Sequence, residues 1–509
     1  MHAKKKFLFV YPRIPETYWS YRHALRFLRR RAVMPPLGLA TVAAMVPREY
    51  ECRIIDMNVE RLRDEDILAA DLVLISAMIV QSSSMAGVIA RCRRLGTAIA
   101  AGGPYPTACS DRMEGVDYLI LGEAEESFPR FLEDYARGRA QPRYEASRKP
   151  DLDSSPIPRF DLLPMKKYDT VPIQFSRGCP FDCEFCDIVQ LFGRTVRTKS
   201  PRRFVAEMEA AYVTGFRGSM FVVDDNFVGN HRKAKELLQE IIRWQRSRGF
   251  PFKLYTEASI DLAHDAELLD LMVAAQFHMV FVGIESPVKG SLTATGKLHN
   301  LSRDIVDSVR TIQRRGIEVT GGFIIGFDTD PPDIFDRQIR FVQKLAIPTA
   351  MVGLLIALPR TRLHSRLERE QRLRDLPTGN NLSATRMNFT PALPDEVIAA
   401  GYRRVLRTIY APSRYFSRCL ALLRIYPKAR RTRSNVSKVR GREILALLHS
   451  FGQQAFSRYG MYYIRFLVRA LGRRPDQAVR VFTMAIQGHH YMAVTRSLFP
   501  DRSTSGIIQ

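Results

Sequence analysis

Ser176-Arg177-Gly178-Cys179-Pro180-Phe181-Asp182-Cys183-Glu184-Phe185-Cys186-Asp187 carries three cysteines at C-x3-C-x2-C spacing. Three thiolates in so short a loop suit an iron–sulfur cube, because soft sulfur selects such clusters and each thiolate takes its own iron. No fourth cysteine follows at close range, so the fourth iron of a [4Fe–4S] cluster keeps open sites. Open sites matter where a ligand must bind. Phe185, just before the third cysteine, is placed to pack on the cluster and exclude water. The competing reading is zinc, which usually takes four protein ligands in paired Cys or Cys/His motifs. The histidines nearest in sequence, His23 and His231, do not stand at such spacing. Cys179, Cys183 and Cys186 are therefore read as the metal ligands and the catalytic centre.

Working outward, the loop follows an apolar run, Ile173–Arg177, that opens a series of six predicted strands. The others are Ser219–Asp224, Lys253–Thr256, Met279–Ile284, Glu318–Ile325 and Ala350–Ala357. Helical stretches lie between them. This is a (βα)6 pattern, a partial version of the eightfold barrel, whose chemistry sits at the C-terminal ends of the strands. Candidate residues fall at those ends. Asp224-Asp225-Asn226 follows the second strand, Glu257 the third and Glu285 the fourth, and Gly322 and Gly326 flank the end of the fifth.

Upstream, residues 1–140 alternate short apolar runs with helical stretches: Phe7–Tyr11, Cys52–Asp56, Leu72–Ser76, Ala98–Ala101 and Tyr118–Leu121. Such alternation predicts a parallel sheet with helices on both faces, and ligands on these folds bind beyond the carboxyl ends of the strands. Residues 141–172 read as a linker, with Pro142, Pro150, Pro156, Pro158, Pro164 and Pro172. The barrel unit spans 173–364. Residues 365–509 lack strand alternation and read as a mainly helical, basic unit whose tail, Asp501–Gln509, is expected to be disordered. The fold class is α/β: a flavodoxin-like domain, a partial barrel and a helical C-terminal domain.

The chain has 509 residues and a net charge of +25. Between Arg403 and Glu443 there are thirteen Lys/Arg and one acid, and Arg22, Arg26, Arg29, Arg30 and Arg31 form a second basic run. That balance favours nucleic acid, anionic lipid or acidic substrates, or it reflects solvated helix faces. The four remaining cysteines, Cys52, Cys92, Cys109 and Cys419, are scattered and form no disulfide framework. Thiolate ligation points to a reducing compartment. The apolar run after Lys4-Lys5-Lys6 is too short for a signal peptide, and no stretch reaches the roughly 20 apolar residues of a membrane span. A cytoplasmic location is expected, with peripheral contact at the inner membrane open.

The cysteine loop resembles the signature of radical S-adenosylmethionine (SAM) enzymes, in which the amino acid end of SAM chelates the open iron. The first unit resembles a cobalamin-binding domain through its strand order, Ser76-Ala77, Gly102-Gly103-Pro104 and Gly122-Glu123. The D-x-H-x-x-G motif, whose histidine ligates cobalt in that family, is absent. The loop after the first strand reads Tyr11-Pro12-Arg13-Ile14-Pro15-Glu16-Thr17 instead. Tyr18-Trp19-Ser20, Met34-Pro35-Pro36-Leu37-Gly38-Leu39, Leu191-Phe192-Gly193-Arg194, Val223–Asn230 and Gly326–Asp330 resemble one cobalamin-dependent radical SAM subfamily. It includes hopanoid C-2 methylases and is similar to bacteriochlorophyllide methyltransferases.

The resemblance implies three cofactors: a [4Fe–4S] cluster, SAM and cobalamin. It implies that Asp224, Asp225 and Asn226 accept from the SAM amine, that Glu285 meets the ribose, and that Gly322 and Gly326 admit the adenine. Glu257 joins them at the strand ends. Ser76, Ala77, Gly102, Gly103, Gly122 and Glu123 would cradle cobalamin, bound without a protein histidine. The implied reaction is methylation of an unactivated carbon of a hopanoid-, tetrapyrrole- or polycyclic lipid-like metabolite, with an electron donor such as flavodoxin or ferredoxin. A non-methylating radical reaction (cyclisation, oxidation or rearrangement) is the alternative. A tRNA methylthiotransferase would suit the charge, but Cys52, Cys92 and Cys109 are too widely spaced for its second cluster, so nucleic acid is disfavoured. Tyr18, Trp19 and Tyr21 beside the basic run either admit an amphiphile near a membrane surface or pack between domains.

Overall fold

A computed structural model describes residues 4–375, 377–380, 386–428 and 441–500. The tail expected to be disordered, and residues 429–440 of the basic stretch between Arg403 and Glu443, lie outside the described residues.

Two six-stranded parallel sheets organise the chain. The first holds β1 (Lys6–Tyr11), β2 (Glu51–Asp56), β3 (Leu72–Ser76), β4 (Ile99–Gly102), β5 (Tyr118–Leu121) and β6 (Arg143–Glu145), in the order β2-β1-β3-β4-β5-β6. Phe7, Leu8, Phe9 and Val10 are all buried, as a strand covered on both faces requires. Leu8 and Val10 face one apolar cluster, Phe7 and Phe9 another. The order reverses between β1 and β3, the position at which such sheets open a ligand crevice.

The second sheet holds β7 (Thr170–Ile173), β10 (Gly218–Val222), β11 (Phe252–Glu257), β12 (Phe277–Glu285), β13 (Glu318–Ile325) and β14 (Ala350–Leu354), in chain order. All pairings are parallel. This is the partial (βα)6 barrel. Between its first two strands, β8 (Ser176–Arg177) and β9 (Arg197–Thr198) form a small antiparallel ribbon.

Two expectations are corrected. The first barrel strand is Thr170–Ile173, not Ile173–Arg177. The Asp224 carboxylate accepts the backbone N–H of Phe175 at 2.8 Å and of Ser176 at 2.9 Å, occupying donors that a sheet neighbour would need, and the chain leaves the sheet there. Pro172 is tolerated because β7 is an edge strand. The linker is also not free of structure, since Arg143–Glu145 adds a sixth strand beside β5.

The C-terminal helices Asp395–Ile409, Pro412–Ile425, Gly460–Arg473 and Ala478–Leu498 close the other barrel edge. Tyr402 and Tyr410 donate to the Val352 and Ala350 carbonyls of β14 at 3.0 and 2.7 Å. Buried Arg418 donates to the Ile347 carbonyl at 2.9 Å. These side chains satisfy an edge that would otherwise offer itself to another strand.

Candidate functional site

The cysteine loop sits beyond the end of β7 and is fixed from several sides. Gly178 has φ +95°, and a Cβ there would lie 2.6 Å from the Thr195 carbonyl oxygen, so only glycine serves at this turn. Glu184 donates its backbone N–H to Thr295 at 2.9 Å, and its carboxylate accepts from Arg366 at 2.6 Å. Burial pushes all three thiols up from their ordinary range, Cys186 furthest, while the ammonium of Lys297 pulls them back. Among the described residues, no three His, Cys, Asp or Glu side chains converge on a single metal ion. A cube does not require that, because each thiolate binds a different iron. Three cysteines in one fixed loop, with a cation beside them and no fourth cysteine in that loop, fit a cluster with one open iron. Phe185 packs against Phe327, with ring centroids 6.0 Å apart.

Lys297 was not anticipated. Its Nζ lies 2.8 Å from Glu285 Oε1, with the Glu285 side chain buried and that of Lys297 13% exposed. Glu285 ends β12 at φ +64°, where the register with β13 shifts. That strained, over-determined backbone turns the carboxylate toward the thiols rather than along the strand. The only sequence signal was a lysine after Gly296, in a stretch without periodicity.

The other strand-end carboxylates divide by what they touch. Asp224 is 1% exposed and spends its oxygens on Phe175, Ser176 N–H and the Ser176 hydroxyl. Burial raises it to about 6. Asn226 pairs with Ser259 at 3.0 and 3.1 Å. Asp225 and Glu257 instead line the cavity. Burial raises Asp225 to about 7, helped by Asp224, and raises Glu257 to about 8, helped by Asp225 and Asp224. Both can therefore hold a proton near neutral pH. Gly322 lies against the Phe281 ring, which a Cβ would approach to 2.8 Å. Gly326, at φ +106°, donates its N–H to Asp330 at 2.9 Å.

The carboxyl ends of both sheets open into one cavity of about 1610 Å³. From the first sheet it is lined by Ser76, Ala77, Gly102, Gly103, Gly122 and Glu123. Gly103 has φ +90°, and a Cβ would meet Ser76 Oγ at 2.4 Å, so backbone replaces side chain there. Glu123 is tied across the domains: its carboxylate accepts from Arg177 and Arg197, each at 2.7 Å, and Arg177 also pairs with Glu125. The loop Arg13–Thr17 faces the cavity, and among its described lining residues His278, from the barrel, is the one histidine. Tyr18 and Tyr21 resolve as interdomain packing, hydrogen-bonded to Thr495 and Tyr491 of the last helix at 2.7 and 2.8 Å. Trp19 remains 44% exposed and lines the cavity.

Comparison with known proteins finds three domain matches along the chain. The B12-binding domain profile matches residues 26–132, the radical SAM superfamily profile residues 173–342, and a domain of unknown function (DUF4070) residues 361–502. An uncharacterized methyltransferase of Synechocystis sp. is 45% identical over 413 residues, 81% of this chain and 77% of its own. The hopanoid C-2 methylase of Rhodopseudomonas palustris is 34% identical over 421 residues, covering 82% and 79%. The radical SAM methyltransferase TsrM from Kitasatospora setae, whose structure holds cobalamin and a [4Fe–4S] cluster, shares the fold with a TM-score of 0.57. That likeness covers 74% of this chain and 80% of TsrM at 17% identity. With the cysteine loop, the glycine-built crevice and these relatives together, the chain belongs to the cobalamin-dependent radical SAM methyltransferases, enzymes whose cofactors are a [4Fe–4S] cluster, SAM and cobalamin.

Proposed function

We propose that this enzyme methylates an unactivated carbon of a bulky apolar, polycyclic lipid-like metabolite of hopanoid or tetrapyrrole type. The observation that carries this reading is the shared cavity. At about 1610 Å³ it exceeds the roughly 300–1,000 Å³ of an ordinary ligand pocket, which suits two large cofactors and a third bulky molecule. Phe221 stacks on Tyr255 at 4.6 Å, and Trp19 meets Phe281 edge-on at 5.2 Å, giving the barrel part an aromatic wall. The bound cofactors supply a radical that removes a hydrogen atom and a donor that releases methyl to carbon.

The residues divide the remaining work. Cys179, Cys183 and Cys186 hold the cluster. Asp225 and Glu257 face the SAM amine as hydrogen-bond partners, Glu285 the ribose, and Gly322 and Gly326 the adenine. Lys297 balances negative charge between Glu285 and the thiolates. Asp224 and Asn226 support this set from behind. Ser76, Ala77, Gly102, Gly103 and Gly122 cradle cobalamin, while Glu123 locks that domain to the barrel.

The location supported by this chemistry is cytoplasmic, with a flavodoxin- or ferredoxin-like electron donor. Among the described residues no helix is long and apolar enough to cross a membrane. Peripheral contact is supported elsewhere. Phe456, Met461, Ile464 and Val468 are exposed, Phe456 and Met461 by 89% and 83%. Exposed Arg458, Arg465 and Arg469 stand among them. An outward apolar stripe edged by arginine suits an anionic bilayer surface. Flotation with phosphatidylglycerol vesicles should recover the enzyme, and Phe456→Ser with Met461→Ser should reduce recovery.

The test of the reaction is stoichiometry. Anaerobic incubation with candidate lipid extracts and labelled SAM should give S-adenosylhomocysteine and 5′-deoxyadenosine at about one to one with methylated product, as two SAM-derived roles imply. Deoxyadenosine formed in step with an unmethylated product would replace this reading with a radical cyclisation, oxidation or rearrangement.

A further inference from the structure

The inner wall of the barrel carries a group of polar residues for which the reaction has no use. Glu318, the first residue of β13, is 8% exposed, and Thr320 is 2% exposed. Both line the cavity, together with His278 of β12 and Gln487 of the last helix. Glu318 Oε1, Thr320 Oγ1, His278 Nδ1 and Gln487 Oε1 are each buried without a hydrogen-bond partner. One orphaned buried polar atom costs on the order of 1–3 kcal/mol, so four around one space require an explanation. The usual ones are bound water and a ligand.

Within the group Glu318 stands one row deeper along the strands than Thr320, which is level with Glu257. Strand register aligns Glu257, Phe281 and Thr320 in one row, and Phe221, Tyr255, Met279 and Glu318 in the next row down. Glu318 stands four residues before Gly322, about 13 Å along the strand at ordinary strand rise. Phe281, against which Trp19 packs, stands in the upper row beside Thr320, and the Phe221–Tyr255 stack stands in the lower row with Glu318. The lower part of the shaft thus sets the orphaned polar atoms beside aromatic rings, with Glu318 one row farther from the strand ends than Glu257.

We infer that this floor recognises a hydroxylated, uncharged end of the substrate, carried on an apolar body that lies against the neighbouring aromatic rings. The inference rests on the methyltransferase reading above and names the chemistry of its substrate. The glutamine oxygen accepts, whereas the threonine hydroxyl and a carboxyl that burial pushes up can donate or accept, so a hydroxyl, which does both, is the partner that suits the set. Arg480 lies near Glu318, and Arg480 and Lys253 near His278. Those cations disfavour an ammonium group and leave hydroxyls. Burial and the same two cations push His278 down to about 3, so its ring is neutral and offers an acceptor nitrogen.

The test compares two probes on the reconstituted holoenzyme: a pentacyclic triterpene bearing a polyhydroxylated side chain, and the same skeleton with a plain alkyl chain. Dissociation constants come from anaerobic ultrafiltration with mass-spectrometric quantification. The polyol should bind about tenfold more tightly, the scale of one or two net hydrogen bonds. Glu318→Leu combined with Thr320→Val should reduce that ratio to about one, whereas Glu318→Gln, which keeps an acceptor, should largely preserve it. Equal affinities in the wild type would overturn the proposal and leave the floor holding ordered water only. Binding of neither skeleton would also overturn it. If the ratio holds while only deoxyadenosine and no methylated product forms, the floor stands and the methylation reading fails.

Discussion

The two parallel sheets deliver their carboxyl ends to the same cavity but build their faces by opposite means. The first sheet removes side chains: Gly102, Gly103 and Gly122 bring backbone to the surface beside Ser76 and Ala77. The barrel crowds side chains in: Glu285 and Lys297 stand beside the thiols, Asp225 lies near Cys179, and Glu257 stands near Asp225. A large neutral or dipolar ligand needs room and backbone donors. A small charged ligand and a metal cluster need fixed charge. The proposed contrast is one cavity with two chemistries, joined by a strut in which buried Glu123 accepts from the partly buried Arg177 and Arg197.

The strongest break of this contrast lies in the barrel loop. Replacing Cys179, Cys183 and Cys186 by Ala should remove all iron after anaerobic reconstitution and abolish SAM cleavage, since three irons lose their ligands at once. Cobalamin retention, measured from its visible absorbance, should survive, because no residue of the first sheet changes. Iron retained in the triple variant would place the cluster elsewhere.

Next in size is Glu285→Ala. It strands Lys297 in a buried setting, a loss of about 3–5 kcal/mol for one partner of a buried pair. SAM affinity should fall by on the order of 1–3 kcal/mol as a charge-assisted hydrogen bond disappears. Thermal denaturation and isothermal titration separate the two. Unchanged SAM affinity would move the ribose contact away from Glu285.

Gly103→Ala probes the opposite face. At φ +90° and with Ser76 Oγ in the way, it should cost about 1–3 kcal/mol of stability before any cofactor is considered. Combining it with Ser76→Gly relieves the contact but not the backbone strain. Cobalamin occupancy per folded chain is the deciding measurement. Full occupancy in the single variant would show that this glycine serves the turn alone.

The smallest effect is a pH slope confined to the barrel. Glu257 holds its proton up to about 8, whereas a free glutamate ionises near 4.5. Between those values the folded chain binds more protons than the unfolded one, so stability falls as pH rises through that window. Asp225, raised to about 7, adds a slope of the same sign starting near 3.8. Glu257→Gln should flatten the dependence of the melting temperature on pH across this range. An unchanged slope would mean that Glu257 ionises normally.

Much of the architecture was legible because its signals are local. C-x3-C-x2-C, short apolar runs at regular intervals and Gly-Gly after a strand each specify chemistry or backbone within a few residues. The two misread places are also local in cause. Ile173–Arg177 reads as a strand by composition, but Asp224, 48 residues on, takes the N–H of Ser176 and bends the chain out of the sheet. Arg143–Glu145 is a three-residue strand with one buried side chain, too short for any alternation to show.

The sequence by itself supplied the three-cysteine loop proposed to hold the cluster, the succession of two strand–helix units and the absence of a cobalt-ligating histidine motif, because motif spacing and strand periodicity are properties of neighbouring residues. Tertiary structure alone decided which carboxylates face the cavity and which are spent inside, that Lys297 stands between Glu285 and the thiols, and that Glu318, Thr320, His278 and Gln487 share one floor. Burial, pairing and orphaned polar atoms arise only when distant segments meet, and no spacing along the chain encodes them.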